Sequence, residues 1–206
     1  MAVCFIAGAG DCGKINITKN AGDIVIAADA GIRYLENSGI SPDYIIGDFD
    51  SLGTLPEGDN VVRLKPEKDI TDMHAAVDIG IEKGCTDFVI YGATGGRLAH
   101  TLANIQLAAS LAQKGFGVVI KDEKTEIRAI CNSSAGFSAD YSGYISVFAH
   151  SDVCTGVTIK GLKYELENSE MKNSFALGVS NEFFGKESTV EVKNGTLIIV
   201  YNTLKC

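Results

Sequence analysis

The chain up to about residue 121 alternates between short apolar runs and longer segments with a helical pattern. Six runs are rich in Val and Ile and bounded by Gly, Asp or Pro, as is typical of buried strands: AVCFIA, DIVIAA, DYIIG, NVVRL, DFVIYG and GVVIKD. Three further segments favour helices: AGIRYLENSG, TDMHAAVDIGIEKG and RLAHTLANIQLAASLAQKG. The last two end at a glycine that can cap the helix. This alternation predicts an open parallel α/β sheet with helices on both faces.

The pattern changes near residue 122. Beyond KDEKTE no segment has a convincing helical period, and four segments favour strands: EIRAIC, GYISVFAH, VTIKGLKYEL and STVEVKNGTLIIVYN. In the last of these, Asn194-Gly195 lies between two β-rich runs, which predicts a two-residue hairpin. We therefore expect an α/β domain over residues 1–123 and a small all-β domain over residues 124–206.

Composition narrows the class of partner. The net charge of −8 argues against general nucleic-acid binding, which needs a basic surface. A nucleotide stays possible, because its phosphates can arrive paired with a metal ion. The start of the chain lacks a basic region, and no apolar run is long enough to span a membrane, so we expect neither a signal peptide nor a membrane segment.

The six cysteines are scattered along the chain, and no two have the two-residue separation of a zinc or redox motif. We therefore expect the reduced thiols of a cytoplasmic protein, used as small apolar side chains.

Acidic residues follow two of the predicted strands. Asp29 comes at the end of the second strand, and Asp48 and Asp50 at the end of the third. Because residues i and i+2 of an extended chain point to one side, we expect Asp48 and Asp50 to face the same space, roughly 7 Å apart at the backbone. Two carboxylates held together repel unless a proton or cation lies between them. A capping role for Asp29 and a turn role for the pair are the alternatives.

The segment KPEKDITDMHAA places two more acids at a helix start. Asp69 precedes Asp72 by three residues, with a threonine between them, which predicts that Asp69 takes part in capping the helix. Asp72 should then lie in the first helical turn, where its carboxylate is available to a ligand.

A glycine-rich loop follows the strand that ends at Tyr91 and precedes a helix that begins near Arg97. Backbone N–H groups at a helix start attract phosphate, and Gly95 and Gly96 allow a close approach. Arg97 can add a bidentate contact. The alternative is a plain strand-to-helix turn. In the helix, His100 and Asn104 lie one turn apart on one face, although a lone histidine there is more often a packing or capping residue than a catalyst.

GAGDCG matches G-x-G-x-x-G at Gly8, Gly10 and Gly13, as in a dinucleotide fingerprint. The fingerprint needs a helix after its third glycine, and KINITKNAGD is too short and polar. We expect a turn beside a ligand instead. Acids and glycines thus follow four successive strands, whose carboxyl ends form the ligand crevice of an open α/β sheet. Oxygen ligands favour Mg²⁺, so the pattern predicts a Mg²⁺–nucleoside-phosphate site.

Five motifs, in this order and spacing, resemble the thiamine pyrophosphokinases: AADAG, GDFDS, KDITD, GATGGRLAH and GVSNEF. The resemblance covers nearly the whole chain. It implies an N-terminal domain that binds Mg²⁺ and ATP, a C-terminal β-sandwich, and a homodimer with thiamine in a cleft at its interface. It also implies transfer of a pyrophosphoryl group from ATP to the thiamine hydroxyl, which releases AMP.

The resemblance assigns roles residue by residue. The acids that would handle metal and phosphate are Asp29, Asp48, Asp50 and Asp72. The residues that would bind ATP are Thr94, Gly95, Gly96, Arg97 and His100. Those that would contact thiamine are Ser180, Asn181 and Phe184. Either Asp50 or Asp72 would accept the proton of the attacking hydroxyl. The family commonly has an acid where this sequence has Ala99, so His100, Asn104 or water would take over its place, or activity would be reduced.

Two other functions also match parts of the sequence. IIGDFDS also resembles the D-x-D start of haloacid dehalogenase-type phosphatases, in which the first Asp is a nucleophile. That motif normally ends the first strand of its domain, whereas here it ends the third. A non-catalytic nucleotide- or thiamine-binding regulator is the second alternative, and Ala99 favours it.

Overall fold

The structure is a computed structural model that describes residues 1–49, 58–65 and 69–202. The chain forms two compact units. The first comprises Met1–Asn104 and Ile120–Glu123, and the second comprises Ile105–Val119 and Lys124–Cys206.

The first unit contains five parallel strands. They are β1 (Val3–Ala7), β2 (Ile24–Ala28), β3 (Tyr44–Gly47), β4 (Val61–Arg63) and β5 (Asp87–Tyr91). Their spatial order is β5-β1-β2-β3-β4. Since every pair is parallel, all five carboxyl ends lie at one edge of the sheet. The predicted open parallel sheet is confirmed.

Helices α1 (Ile32–Asn37) and α2 (Asp72–Glu82) lie on opposite faces of this sheet. A Cβ atom on Gly80 of α2 would lie 2.9 Å from the Cys4 sulfur, so α2 covers the face to which Cys4 points. The next residue of β1, Phe5, packs in the cluster that contains Leu35 of α1. Neighbouring positions on a strand face opposite sides, which places the two helices as predicted.

Helix α3 (Leu98–Gln113) and strand β6 (Gly117–Lys121) complete the α/β pattern. Both contribute residues to each unit. Gly84 after α2 and Gly115 after α3 have φ values of +83° and +85°, so both helices end on the glycine caps that the sequence predicts. No helix in the described ranges is long and apolar enough to cross a membrane.

The second unit contains eight further strands. They are β7 (Thr125–Cys131), β8 (Ser134–Phe137), β9 (Tyr144–Ala149), β10 (Val153–Lys160), β11 (Leu166–Lys172), β12 (Gly178–Glu182), β13 (Ser188–Glu191) and β14 (Thr196–Asn202). They pair antiparallel in the orders β12-β9-β14-β7 and β11-β10-β13-β8. One apolar core joins Val147 and Ile199 of the first order to Val157 and Val190 of the second. The β-sandwich is confirmed.

Two details of the predicted β pattern are wrong. Asn194-Gly195 does not form a hairpin, because β13 pairs with β8 and β10 whereas β14 pairs with β7 and β9. Asn194 instead exchanges backbone hydrogen bonds with Thr155, at 2.9 and 3.1 Å. The predicted strand VTIKGLKYEL is also split, since β10 ends at Lys160 and β11 begins at Leu166. At Asn194 the chain passes from one layer to the other, whereas β10 and β11 turn back on each other as antiparallel neighbours in the same sheet.

Candidate functional site

A cavity of about 340 Å³ lies in the first unit, at the carboxyl ends of its strands. Residues that follow β1, β2, β3 and β5 line it, together with the start of α2 and the first turns of α3. This volume lies within the range of small-molecule sites in proteins. The structure therefore brings together the four strand ends at which the sequence places its acids and glycines.

Three carboxylates line the cavity. Asp29 begins a 3₁₀ turn directly after β2, Asp48 follows β3, and Asp72 is the first residue of α2. Each of them has an interaction with other groups of the protein. Asp50, the fourth acid of the predicted set, lies outside the described residues.

The acids alone do not make a ready metal cage. Within residues 1–49, 58–65 and 69–202, no three His, Cys, Asp or Glu side chains are grouped closely enough to hold a metal ion. An ion at this site would therefore need further oxygen ligands, as Mg²⁺ commonly takes from water and substrate phosphates.

The backbone at Phe49 differs from the extended chain that the sequence predicts for GDFDS. β3 ends at Gly47, and Phe49 has a φ of +62°, in the left-handed region. Its side chain is only 3% exposed, while Asp48 lines the cavity. The backbone is therefore not extended at Phe49, and because Asp50 lies outside the described residues, the shared orientation of Asp48 and Asp50 stays a prediction.

The start of α2 is capped by Thr71 rather than Asp69. The Thr71 hydroxyl oxygen accepts a hydrogen bond from the backbone N–H of His74 at 3.2 Å. Asp69 is exposed and lies two residues before Thr71 in the chain. Thr71 caps the helix because it directly precedes the first helical residue, and from this position its oxygen reaches the third N–H group of the helix. Asp72 lies in the first turn, as predicted.

The glycine-rich loop also lines the cavity. Gly95 and Gly96 have φ values of +75° and +56°, and α3 begins directly after Arg97. Thr94, Gly95, Arg97 and His100 line the cavity, whereas Gly96 does not. Positively charged Arg97 thus lines the same cavity as the three carboxylates, an arrangement that suits a phosphate chain with an associated cation.

Two side chains outside the glycines hold this loop. Asn104 is buried, and its amide donates a hydrogen bond to the Ala93 carbonyl at 2.7 Å. The Thr94 hydroxyl donates to Asp122 at 3.0 Å. The helical spacing of His100 and Asn104 indicates a shared face, and both line the cavity. No sequence signal identified Asp122, which lies 28 residues beyond Thr94 in the chain.

The GAGDCG segment forms a turn against the glycine-rich loop. Successive backbone hydrogen bonds of 2.8 Å run from Gly8 N–H to Tyr91, from Gly10 N–H to Gly92 and from Asp11 N–H to Thr94. A Cβ atom on Gly10 would overlap the Thr94 carbonyl oxygen and lie 2.6 Å from that of Gly92. Residues 14–23, all described, contain no helix. The segment is the predicted turn beside the cavity, without the helix of a dinucleotide fingerprint.

The residues predicted to contact thiamine lie on and after β12 of the second unit. Ser180 is exposed, has a φ of +59°, and donates its backbone N–H to the Ser146 hydroxyl at 3.0 Å. Phe184 is 61% exposed. Asn181 is buried, and its amide group hydrogen-bonds both the N–H and the carbonyl of Tyr164, at 3.0 and 2.6 Å.

These bonds give Asn181 a positioning role within the sandwich. The ring of Tyr164, whose backbone Asn181 holds, is itself 61% exposed. Tyr164 carries no signal in the sequence, because the segment before β11 has no motif that distinguishes its tyrosine.

The cysteines of the described ranges are free thiols. Burial raises the pKa values of the Cys4, Cys85 and Cys154 thiols, so these three side chains stay protonated and pack as small apolar groups. Ala99 is exposed on the first turn of α3 and does not line the cavity.

Comparison with known proteins gives a consistent result. Residues 16–120 match the family described as thiamin pyrophosphokinase, catalytic domain, and residues 131–197 match thiamin pyrophosphokinase, vitamin B1 binding domain. The chain is 31% identical over 186 residues to the thiamine pyrophosphokinase of Bacillus subtilis strain 168, covering 86% of each protein.

Solved structures agree. The chain is similar to the crystal structure of thiamine pyrophosphokinase from Bacillus subtilis, with a TM-score of 0.84 and 26% identity, covering 99% of this chain and 100% of that one. It also superposes on thiamin pyrophosphokinase from Candida albicans with a TM-score of 0.75, covering 97% of this chain and 88% of that one. At 16% identity, the second likeness shows the shared fold alone.

Proposed function

The chain belongs to the thiamin pyrophosphokinase family, and we propose that it transfers the pyrophosphoryl group of ATP to the hydroxyl group of thiamine. The products are thiamine diphosphate and AMP. The observation that supports this proposal most directly is the cavity of the first unit, which combines carboxylates at three positions with a glycine-rich loop and an arginine.

The glycine-rich loop is the proposed site for the ATP phosphates. Thr94, Gly95 and Arg97 line the cavity at the start of α3, where N–H groups without helical partners attract anions. The Arg97 guanidinium adds positive charge for phosphoryl oxygens. His100, the third residue of α3, also lines the cavity, while Gly96 contributes through its backbone conformation.

The carboxylates that line the cavity have the oxygen chemistry that fits Mg²⁺. Asp29, Asp48 and Asp72 supply carboxylate oxygens, the ligands that this ion prefers, and phosphate oxygens and Asp50 would complete the set. When bound, the ion neutralises charge on the phosphoryl oxygens. Either Asp72 or Asp50 accepts the proton of the attacking thiamine hydroxyl.

Thiamine would be bound by the second unit. Ser180 and Phe184 are exposed near each other in sequence, and Asn181 holds the backbone of exposed Tyr164. Further large apolar side chains of this unit are exposed, namely Tyr144, Val153, Phe175, Leu177 and Val179. Such a surface suits burial against another molecule. We propose that this surface is buried in a homodimer and that the protein acts in the cytoplasm.

The net charge of −8 also favours binding of the cationic thiazolium ring of thiamine.

The division of labour follows the two parts of the chain. We propose that residues 1–123 form the ATP- and Mg²⁺-binding domain and that residues 124–206 form the thiamine-binding domain. The family matches at 16–120 and 131–197 fall on either side of this boundary, which supports the division.

The proposed reaction is tested by measuring AMP release with thiamine, ATP and Mg²⁺. We expect AMP and thiamine diphosphate in equal amounts, and no AMP without thiamine. Asp48→Asn should lower kcat by at least 100-fold, on the order of the loss seen when electrostatic stabilisation is removed. Glu36→Gln, which removes one negative charge from the exposed face of α1, is the matched control and should retain the wild-type rate.

Other results would overturn the proposal. Inorganic phosphate release without thiamine would indicate a phosphatase, and tight binding of ATP or thiamine without any turnover would indicate a regulator. A normal rate in Asp48→Asn would remove Asp48 from the proposed metal and phosphate site.

A further inference from the structure

Phe49 has an unusual backbone for a large side chain. Its φ of +62° lies in the left-handed region, which disfavours residues with a Cβ atom and is a genuine outlier for a bulky one. Such a conformation persists only where the surrounding structure enforces it. The fold therefore maintains an unfavourable backbone conformation at Phe49.

Burial of the Phe49 ring is what enforces this backbone. The side chain is 3% exposed and belongs to the cluster that contains Ala7, Val25 and Leu35. A Cβ atom on Gly47 would lie 3.3 Å from Cε1 of the Phe49 ring, so the ring folds back over the end of β3. The core cluster thus holds the ring against the end of β3.

Phe49 lies close to two strand ends that carry acids. Asp48 directly precedes Phe49 and lines the cavity, while Asp29, at the end of β2, also has a left-handed backbone with a φ of +51°. A Cβ atom on Gly47 would lie 3.2 Å from Cα of Asp29, so the two strand ends are in close contact. A shift of the chain at Phe49 would therefore move Asp48 and press on the backbone of Asp29.

We propose that Phe49 is a positioning residue for the carboxylates of the cavity. Its anchored ring holds the left-handed backbone, and this backbone directs Asp48 into the cavity beside Asp29. The inference rests on the proposed function, because it takes these acids as the metal- and phosphate-binding groups. Phe49 itself lies in the core and contacts no substrate.

The test compares two aliphatic replacements. Phe49→Leu and Phe49→Val both keep an apolar side chain, but only valine is β-branched, which makes a positive φ especially unfavourable. We expect Phe49→Val to lower kcat by about 10- to 100-fold, the size of effect that follows small misplacement of catalytic groups. Phe49→Leu should stay within about threefold of wild type, since leucine tolerates the backbone better.

A second readout separates positioning from stability. The further drop in free Mn²⁺ when protein is added to a Mn²⁺–ATP solution, measured by electron paramagnetic resonance without thiamine, reports metal binding without turnover. We expect weaker Mn²⁺ binding in Phe49→Val than in Phe49→Leu. Ile15→Ala, which truncates another buried member of the same cluster, is the control. It should lower the melting temperature but leave kcat and Mn²⁺ binding of the folded protein unchanged.

The outcomes are distinct. If Phe49→Val loses thermal stability but keeps the kcat and Mn²⁺ affinity of wild type, Phe49 is an ordinary core residue and the inference fails. If Phe49→Val does not fold, Phe49→Gly replaces it, because glycine accepts the left-handed φ but removes the anchor. Unchanged Mn²⁺ binding and kcat in Phe49→Gly would also overturn the inference. An inactive wild-type protein would instead overturn the proposed function.

Discussion

At the scale of single residues, Asp23 shows how one buried carboxylate organises a strand entry. Its two oxygens accept hydrogen bonds from the backbone N–H groups of Val3 and Asn20, both at 2.8 Å. These bonds, that of Val3 first, lower the pKa of the Asp23 carboxyl below its usual value. The charged form thus stabilises the start of β1 and the turn before β2.

The lowered pKa predicts a pH-dependent contribution to stability. A carboxyl whose pKa is lower in the folded state stabilises the fold above its unfolded pKa, and this contribution disappears as the pH falls through the folded pKa. At pH 7 we expect Asp23→Asn to reduce the free energy of unfolding by about 1–3 kcal/mol, as for hydrogen bonds to a charged group. The difference from wild type should shrink below about pH 4.

Urea unfolding of both proteins at several pH values measures this difference. Glu36→Gln, at an exposed position of α1, should show no comparable trend. A destabilisation of Asp23→Asn that is the same at pH 7 and pH 3 would mean that the charge of Asp23 contributes nothing.

At the scale of elements, the cavity depends on two loops that pack backbone to backbone. The turn after β1 and the glycine-rich loop after β5 are joined by the hydrogen bonds of Gly8, Gly10 and Asp11. Gly10 is required because a side chain there would overlap the Thr94 carbonyl. The wall that we propose for ATP therefore takes its position partly from a segment far from it in the chain.

This packing predicts that Gly10→Ala separates the two loops. We expect the KM for ATP to rise by about tenfold or more, because displacement of a positioned group by about 1 Å has effects of this size or larger. Gly136→Ala on β8 is the matched control, since a Cβ atom there would meet no atom within 4 Å. Steady-state kinetics of both variants decide the matter. An unchanged KM in Gly10→Ala would show that the loops move independently.

At the scale of the whole molecule, the second unit carries apolar side chains that a lone chain leaves exposed. β12 lies at the end of its strand order; Leu177 directly before it is 46% exposed and Val179 within it is 45% exposed. Phe184 and Tyr164 add two exposed rings. We expect this surface to be buried in the proposed homodimer, since large exposed apolar patches commonly mark interfaces.

The dimer prediction is tested with a charge placed in this surface. Val179→Lys should convert a dimer, measured by light scattering after size-exclusion chromatography, into a monomer, because a lysine is costly to bury without a partner. Thiamine turnover should fall in parallel if the site needs both chains. Val62→Lys on β4 of the first unit, at a valine that is 36% exposed, is the control and should leave the dimer intact. A monomeric wild-type protein would contradict the proposal.

The sequence predicted the elements of this protein better than their partners. Hydrophobic periodicity located the strands of the parallel sheet and all three helices, because the pattern within an element follows from its own geometry. It missed β8, β11 and β12, whose SAGF, LENSEMK and GVSNE segments are short or polar. It assigned a hairpin to Asn194-Gly195, where the turn is local but the pairing depends on two layers.

The candidate site divides in the same way. The positions of Asp29, Asp48 and Asp72 at strand and helix ends were readable from the sequence, because a parallel sheet collects these ends at one edge. The roles of Thr71, Asn104 and Asp122 were not, because each depends on which N–H or carbonyl group lies within reach.

By itself the sequence determined the α/β order, the β-rich second half and the motifs that identify the family. These properties are local, or are repeated along the chain, and need no knowledge of distant contacts. Only the tertiary structure decided that Phe49 turns inward with a left-handed backbone and that Gly10 lies against Thr94. Both depend on packing between segments far apart in the chain, where burial of one side chain or the approach of two backbones outweighs local preference.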